Sequence, residues 1–191
     1  MLIAFVAAGV VVGLAGAPAS AQTKTRKDKA GDAPSRVDIR SVKVQNNAAK
    51  FAVTVRMANV VKRQTIATVG VSKNFESDAP VFIVESVPVA GGRYKTTALL
   101  LPSDPEAGRP SRVQCPGLQT TVKTGKRGYF RFVMPQSCLG AAAGRVETSA
   151  FSYDKQDFGG AVFSNIARRG DEPSSIEDLT DETSTITTRR G

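Results

Sequence analysis

The side chains that most enzymes use for catalysis are sparse in this chain of 191 residues. It contains no histidine, which excludes Ser-His-Asp and Cys-His catalysis and most zinc and copper sites. It has two cysteines, Cys115 and Cys138, and a bond between them would leave no thiolate nucleophile. The glycine-rich motifs that bind nucleotide phosphates are also missing. We therefore predict a protein that is not an enzyme and that uses no cofactor.

Two pairs of carboxylates are the remaining candidates for acid/base chemistry of the glycosidase type. They are Asp154 with Asp157, and Asp104 with Glu106. Each pair falls in a predicted loop, where a turn or solvation explains an acidic residue more simply. A carboxylate-dependent hydrolase is therefore the least favoured of the functions that we consider.

A third acidic group lies near the amino terminus. Asp28, Asp32 and Asp38, with a Gly31-Asp32 turn between them, could ligate calcium through side-chain and carbonyl oxygens. The alternative is a polar turn that holds no metal. The sequence favours the metal-free turn and leaves calcium open.

Basic residues occur in four short clusters. These are Lys24–Lys29, Lys62 with Arg63, Lys126 with Arg127, and Arg168 with Arg169. One interpretation is that they are solvated loop residues that keep the protein soluble. The other is that Lys62, Arg63, Lys126, Arg127, Arg168 and Arg169 attach the protein to an anionic partner, such as a wall polymer, an anionic lipid or an acidic glycan. Specific nucleic-acid binding is not expected, because aromatic residues for base stacking are few.

The charge is divided unevenly along the chain. The formal net charge is +9, and residues 171–191 hold six acids and two bases, a net of −4. Subtracting the tail from the total leaves +13 for the rest of the chain. We expect the tail to compete with outside polyanions for the basic loops, so that deleting it strengthens binding to an anionic surface.

A predicted hairpin carries both cysteines at its open end. Leu118–Thr124 and Tyr129–Met134 alternate in polarity like strands, and Gly125-Lys126-Arg127-Gly128 has the composition of a turn. Cys115 and Cys138 then lie opposite that turn, which predicts a disulfide between them in an exported chain. Such a crosslink contributes about 3 to 3.5 kcal/mol in the chain-entropy model.

The amino-terminal residues have the pattern of a secretory signal. Leu2–Gly16 is an uninterrupted apolar run, and Ala19-Ser20-Ala21 is a typical cleavage site. We predict cleavage after Ala21, a secreted product with no transmembrane segment in the mature chain, and a flexible basic leader over residues 22–35.

Short alternating segments at regular spacing predict an all-β fold. The most regular is Lys50–Met57, with Phe51 and Val53 inward and Arg56 outward; Arg36–Gln45 changes parity near Ser41, which predicts a bulge. We predict a single antiparallel, immunoglobulin-like β-sandwich of about seven or eight strands over residues 36–170, followed by a disordered acidic tail over residues 171–191. The further predicted strands are Thr65–Ser72, Val81–Val87, Arg93–Leu101 and Gly144–Tyr153.

Several short motifs resemble a group of small secreted proteins of high-GC Gram-positive bacteria that lack an assigned activity. These motifs are the signal, Asp28-Lys29-Ala30-Gly31-Asp32 before Val37-Asp38-Ile39, and the run Val133–Gly140. The resemblance implies a β-sandwich. The Asp-x-x-Gly-Asp opening is also similar to the entry strand of some extracellular carbohydrate-binding modules. The predicted function is a secreted, non-catalytic sandwich associated with the cell envelope, with anionic wall polymers or another envelope protein as partner; a carbohydrate-binding or accessory module is the alternative.

Overall fold

The structure, a computed structural model, describes residues 22–75, 79–102, 110–140, 145–156, 180–182 and 185–190. Within these ranges the chain forms fourteen β-strands and two one-turn 3-10 helices, Ala90–Gly92 and Gln136–Leu139. No helix of the described part has the length and hydrophobicity that a membrane span needs. The strands are β1 Gln22–Lys27, β2 Ile39–Asn46, β3 Lys50–Met57, β4 Asn59–Val60, β5 Thr65–Ser72, β6 Val81–Pro88, β7 Tyr94–Leu101, β8 Ser111–Arg112, β9 Gln119–Lys123, β10 Gly125–Lys126, β11 Tyr129–Pro135, β12 Arg145–Asp154, β13 Thr180–Glu182 and β14 Ile186–Arg189.

The strands form two antiparallel sheets and one short ladder. The first sheet has the order β1-β2-β3-β11-β9. The second has the order β12-β5-β6-β7-β8, and its outer strand β12 pairs with β14 over one half and with β13 over the other. The ladder joins β4 to β10 at one end of the first sheet.

The inner faces of the two sheets enclose one hydrophobic core. Val53 and Phe132 of the first sheet and Val69 and Val84 of the second are completely buried in the same cluster. Tyr94 of the second sheet meets Phe130 of the first edge to face, with ring centroids 5.3 Å apart. Since a fully buried aliphatic or aromatic side chain contributes about 1.5–3 kcal/mol, this cluster holds the sheets together. The predicted antiparallel β-sandwich is confirmed.

The predicted strands agree closely with the observed ones. Lys50–Met57 and Thr65–Ser72 have the predicted bounds, and the other predicted strands differ by a few residues at their ends. The predicted bulge is present, because the β2–β3 register shifts between Ile39 and Ser41. Alternation of apolar and polar residues was therefore a sound guide wherever one face of the strand lines the core.

The two chain ends differ from the prediction. The leader was expected to be unpaired, but Gln22–Lys27 forms β1 and pairs with β2 over its whole length. The tail was expected to be disordered, but Thr180–Glu182 and Ile186–Arg189 pair with β12, and the Ile186 side chain lies in the core. The physical reason is that strand pairing uses main-chain hydrogen bonds, which a polar sequence can make as well as an apolar one.

The two terminal strands also contact each other across one side of the sandwich. The Arg26 guanidinium donates a hydrogen bond to the Thr185 carbonyl oxygen over 3.2 Å. The Arg189 amide donates to the Gln22 side-chain oxygen. Because β1 and β14 belong to different sheets, these bonds close the sandwich where two edge strands would otherwise be open.

The disulfide is formed as predicted. Cys115 precedes β9 and Cys138 lies in the 3-10 turn after β11, with their Cα atoms 5.2 Å apart. The β9–β11 hairpin between them has Phe130 and Phe132 in the core and Arg131 exposed, which also confirms the predicted faces. The crosslink fixes the open end of a hairpin whose closed end forms part of the candidate site.

Candidate functional site

The outer face of the first sheet carries a band of basic side chains. Residues paired across antiparallel strands project from the same face of a sheet. The register of the first sheet forms two neighbouring rows of side chains on the face that points away from the core. One row has a basic residue on β1, β3 and β9, and the other has one on β2 and β11. We call these five cations the basic face: Lys27, Lys43, Arg56, Arg131 and Lys123.

The five cations of the basic face form a zigzag across all five strands. Neighbouring strands lie about 4.8 Å apart, so the zigzag spans about 19 Å perpendicular to the strands. Successive cations are diagonal neighbours, which places their Cα atoms about 7–8 Å apart. An extended polymer lying across the strands would therefore pass one cation at each strand.

No acidic residue offsets this charge within the first sheet. None of β1, β2, β3, β9 and β11 contains Asp or Glu. Among the residues that the structure describes, the side chains of Lys27, Lys43, Lys123 and Arg131 form no ion pair. The outward positions beside them are mainly threonines, such as Thr54. Because the cations are uncompensated, their potentials add over a flat surface.

The bulge in β2 adds a further cation beside the basic face. Arg40 is the extra residue of the bulge, so that Arg40 and Ser41 together lie opposite Arg56. A bulge redirects a side chain that regular pairing would send elsewhere. The Arg40 guanidinium lies 2.8 Å from the carboxylate of Asp38, which is buried and also accepts the Gly31 amide over 3.1 Å. Asp38 thus holds Arg40 in place and offsets part of its charge.

A cleft of about 650 Å³ opens next to this bulge, at the end of the sheet where β4 and β10 pair. We call it the basic cleft, because four of its lining residues are cations and none is acidic. The volume falls within the range of small-molecule sites in proteins. The lining residues are Ser35, Arg40, Arg56, Met57, Ala58, Asn59, Lys126 and Arg127.

Arg127 occupies an unfavourable backbone conformation at the wall of this cleft. Its φ is +55°, in the left-handed region that costs a non-glycine residue about 1–2 kcal/mol. The turn is closed by a hydrogen bond from the Gly128 amide to the Gly125 carbonyl, and the Arg127 amide donates to the Ala58 carbonyl over 2.9 Å. These bonds hold the strained residue against Ala58, which links β3 to β4. Strain of this kind clusters at binding sites and switches.

The two glycines of this turn have different roles: a turn glycine with positive φ is confirmed at Gly125 and is wrong at Gly128. Gly125 has a φ of +91°, as expected for a turn glycine. Gly128 does not have a positive φ; a Cβ there would lie 2.4 Å from the Lys123 carbonyl oxygen and 2.7 Å from Val60. Gly128 is required for close packing, and the positive φ falls on Arg127 instead.

Arg56 belongs to both the basic face and the basic cleft. Its guanidinium carbon lies 5.9 Å from the centroid of the Tyr129 ring, on the neighbouring strand. This cation–π contact restricts the long side chain without neutralising it. Arg56 therefore presents its charge from a defined position.

The predicted basic residues are only partly brought together. Lys126 and Arg127 line the basic cleft. Lys62 and Arg63 do not line it; they lie in the turn before β5. Arg168 and Arg169 lie outside the described residues. Lys27 of the Lys24–Lys29 cluster lies in the basic face, but sequence reasoning missed the other four strand cations, because it searched for adjacent basic residues in loops. The outward positions of the predicted strands were the available signal, since they already include Arg56 and Arg131.

The acidic candidates do not form a site within the described residues. Asp154 is buried and paired with Arg36, and its other oxygen accepts the Gln156 amide over 2.8 Å, so it has a structural position. Asp104, Glu106 and Asp157 lie outside the described part. Within that part no group of three or more His, Cys, Asp or Glu side chains could hold a metal ion. Asp28, Asp32 and Asp38, the candidates for calcium, therefore do not form such a group.

A second, smaller cavity lies on the opposite side of the sandwich. It has a volume of about 290 Å³, and its lining includes Phe75, Ile83 and Phe151 but no charged residue. Near it, on the same face of the second sheet, the Tyr153 hydroxyl donates to the buried Glu85 carboxylate and lies 3.1 Å from the Thr68 hydroxyl. This cavity adds no cation to the basic face or to the basic cleft.

Comparison of the chain with protein-family models, with curated proteins and with solved structures found no match.

Proposed function

We propose that this protein is a secreted, non-catalytic β-sandwich that attaches to anionic polymers of the cell envelope through its basic face. The observation that carries the proposal is the zigzag of Lys27, Lys43, Arg56, Arg131 and Lys123 across a sheet that contains no acidic residue. A solubilising surface needs no such arrangement, because interspersed charges of both signs serve solubility as well. Segregation of one sign on one flat face is what attraction to a polyanion requires.

The same face is less suited to neutral sugars, the ligands of the alternative function. Sugar-binding faces rely on exposed aromatic rings for stacking. On this face Tyr129 is the aromatic residue in the two rows, and the Arg56 guanidinium lies over its ring. Electrostatic attachment therefore fits the basic face better than sugar stacking.

A pair of matched double variants tests this proposal. Lys43→Gln with Arg131→Gln removes two cations from the basic face. Arg93→Gln with Lys95→Gln removes two exposed cations at the start of β7 in the other sheet. Both variants lose the same formal charge, so a difference between them reports where the charge lies.

Binding is measured to a fluorescent poly(glycerol phosphate) chain and to neutral dextran over a salt series. At about 1 kcal/mol for each cation near an anionic surface, the face variant should bind the polyanion about 30-fold more weakly at low salt. The slope of log K against log salt should fall by about 1.4–1.8, from about 0.7–0.9 for each lost contact. The β7 variant should stay within about twofold of the parent chain. Equal losses in both variants, or equal affinity for dextran, would refute the proposal.

A further inference from the structure

The basic cleft differs from the basic face in shape and in the position of its charges. The face is flat and crosses five strands, whereas the cleft is concave and is lined by residues of four chain segments. Of its cations, Arg56, Lys126 and Arg127 form no ion pair with any carboxylate in the described ranges. Arg40 is partly offset by Asp38. Three uncompensated positive charges therefore line one concave site.

The arginines of the cleft are restricted before any ligand binds, Arg56 and Arg40 through their side chains and Arg127 through its backbone. Arg56 is restricted by the Tyr129 ring, and Arg40 by its contact with Asp38. Arg127 sits in a left-handed conformation that glycine would adopt more easily, fixed by hydrogen bonds of the turn. Preorganised guanidinium groups lose less entropy when they bind an oxyanion, and their planar fork matches phosphate oxygens.

We infer that the basic cleft is a separate binding site for a phosphate monoester dianion. A doubly charged, compact group can contact several lining cations at once, whereas each phosphodiester of an extended polymer carries one charge and suits the flat face. The volume of about 650 Å³ accommodates the phosphate with a small organic group attached. Ala58, which is partly exposed, supplies an apolar contact for that group. The same chemistry is offered by the phosphorylated end of an envelope polymer and by a free sugar phosphate.

The chain provides a matched pair of substitutions at strained arginines. Arg127→Gly removes a cation of the cleft and leaves a residue that adopts positive φ freely. Arg63→Gly makes the same change at φ +77° in the turn before β5, outside both the cleft and the basic face. Arg127→Lys keeps the charge and the strained backbone but removes the fork. Both glycine variants should fold, because each relieves a strained conformation.

The amide chemical shifts of the full-length chain are followed while methyl phosphate or dimethyl phosphate is added. Sodium chloride at the same ionic strength is the control. We expect methyl phosphate to shift the amides of Ala58, Asn59 and Arg127 and to bind at least about tenfold more weakly to Arg127→Gly. Arg127→Lys should be intermediate, and Arg63→Gly should stay within about twofold of the parent chain. Dimethyl phosphate, a monoanion, should bind about tenfold more weakly than methyl phosphate.

The outcomes separate this site from the basic face and distinguish its ligand sources. The Lys43→Gln, Arg131→Gln variant should keep its affinity for methyl phosphate, so the two proposals can fail independently. Treating a short poly(glycerol phosphate) with phosphatase should lower its affinity if the cleft binds polymer ends. If affinity is unchanged, the free monoester is the ligand. Equal binding of methyl phosphate by Arg127→Gly and Arg63→Gly, or equal binding of the monoester and the diester, would overturn the inference.

Discussion

Gly128 is the position at which one added methyl group should disturb the hairpin most. Gly128→Ala places a Cβ 2.4 Å from the Lys123 carbonyl oxygen and 2.7 Å from a Val60 methyl carbon. The nearest atom is backbone, and β9, to which Lys123 belongs, is paired with β11 over five residues. Val60 is itself buried in the core. Neither neighbour can move without breaking other contacts, so we expect a loss of about 2–4 kcal/mol of unfolding free energy, at or above the usual range for overpacking.

Gly125→Ala is the matched control, because it lies three residues earlier in the same turn. Its Cβ would have no atom within 4 Å, but its φ is +91°. The expected loss is therefore the conformational term alone, about 1–2 kcal/mol. The two variants add the same methyl group, so their difference isolates close packing from backbone conformation.

Urea unfolding measures both losses, and thermal unfolding checks them. For a chain of this size 1 kcal/mol shifts Tm by about 2–4 °C, so Gly128→Ala should lower Tm by about 4–16 °C, and more than Gly125→Ala. The m-value should not change, because the unfolded surface is the same. If Gly125→Ala is the more damaging change, the turn depends on glycine flexibility rather than on the contact with Lys123, and our assignment of the two glycines is wrong.

Two further predictions concern the disulfide and a half-buried tyrosine. Replacing Cys115 and Cys138 together by serine should lower the unfolding free energy by about 3 kcal/mol, since the bond spans a sequence separation of 23. Urea unfolding with and without reductant measures this loss. The reductant should lower the stability of the parent chain to that of the variant and should leave the variant unchanged. Burial raises the pKa of Tyr94 from 10.0 to about 12, and its hydroxyl has no hydrogen-bond partner among the described residues. The neutral form is thus favoured in the folded state, and this stability is present below pH 10 and lost as the pH rises towards 12. Tyr94→Phe should therefore be no less stable than the parent chain at pH 8, and it should be more stable than the parent chain at pH 11. The measurement is the urea midpoint of both proteins at each pH. An equal difference in midpoint at both pH values would contradict burial as the cause of the raised pKa.

The core strands could be predicted because each carries its own evidence. In Lys50–Met57 the alternation of the large apolar residues Phe51, Val53 and Val55 with smaller or polar ones predicts both the strand and the face that is buried. The terminal strands carry no such evidence. Every residue from Thr23 to Lys27 is exposed, and β14 has four residues, of which Ile186 is apolar. Their pairing depends on main-chain groups at open sheet edges, which side-chain patterns do not reveal.

The candidate site could be predicted only where it is local in sequence. Lys126 and Arg127 are adjacent and stand in a recognisable turn, so composition was sufficient to find them. Arg56 and Arg131 are far apart in the chain and become diagonal neighbours because β11 pairs with β3. Arg40 enters the cleft because of a bulge. Strand order and register are long-range properties, and no single segment contains them.

The described part of the acidic tail pairs with the second sheet, which bears on how its charge can act on the basic face. Asp181 and Glu182 belong to β13, whose backbone is paired with Ser152 and Phe151 of the second sheet, whereas the basic face belongs to the first. Deleting residues 171–191 would also remove β14 and the Ile186 side chain from the core. A change in polyanion binding after that deletion would therefore mix lost charge with a damaged sandwich. Shielding by the tail can be separated from folding only if the acids are neutralised in place, because Asn and Gln keep the backbone pairing and remove the charge.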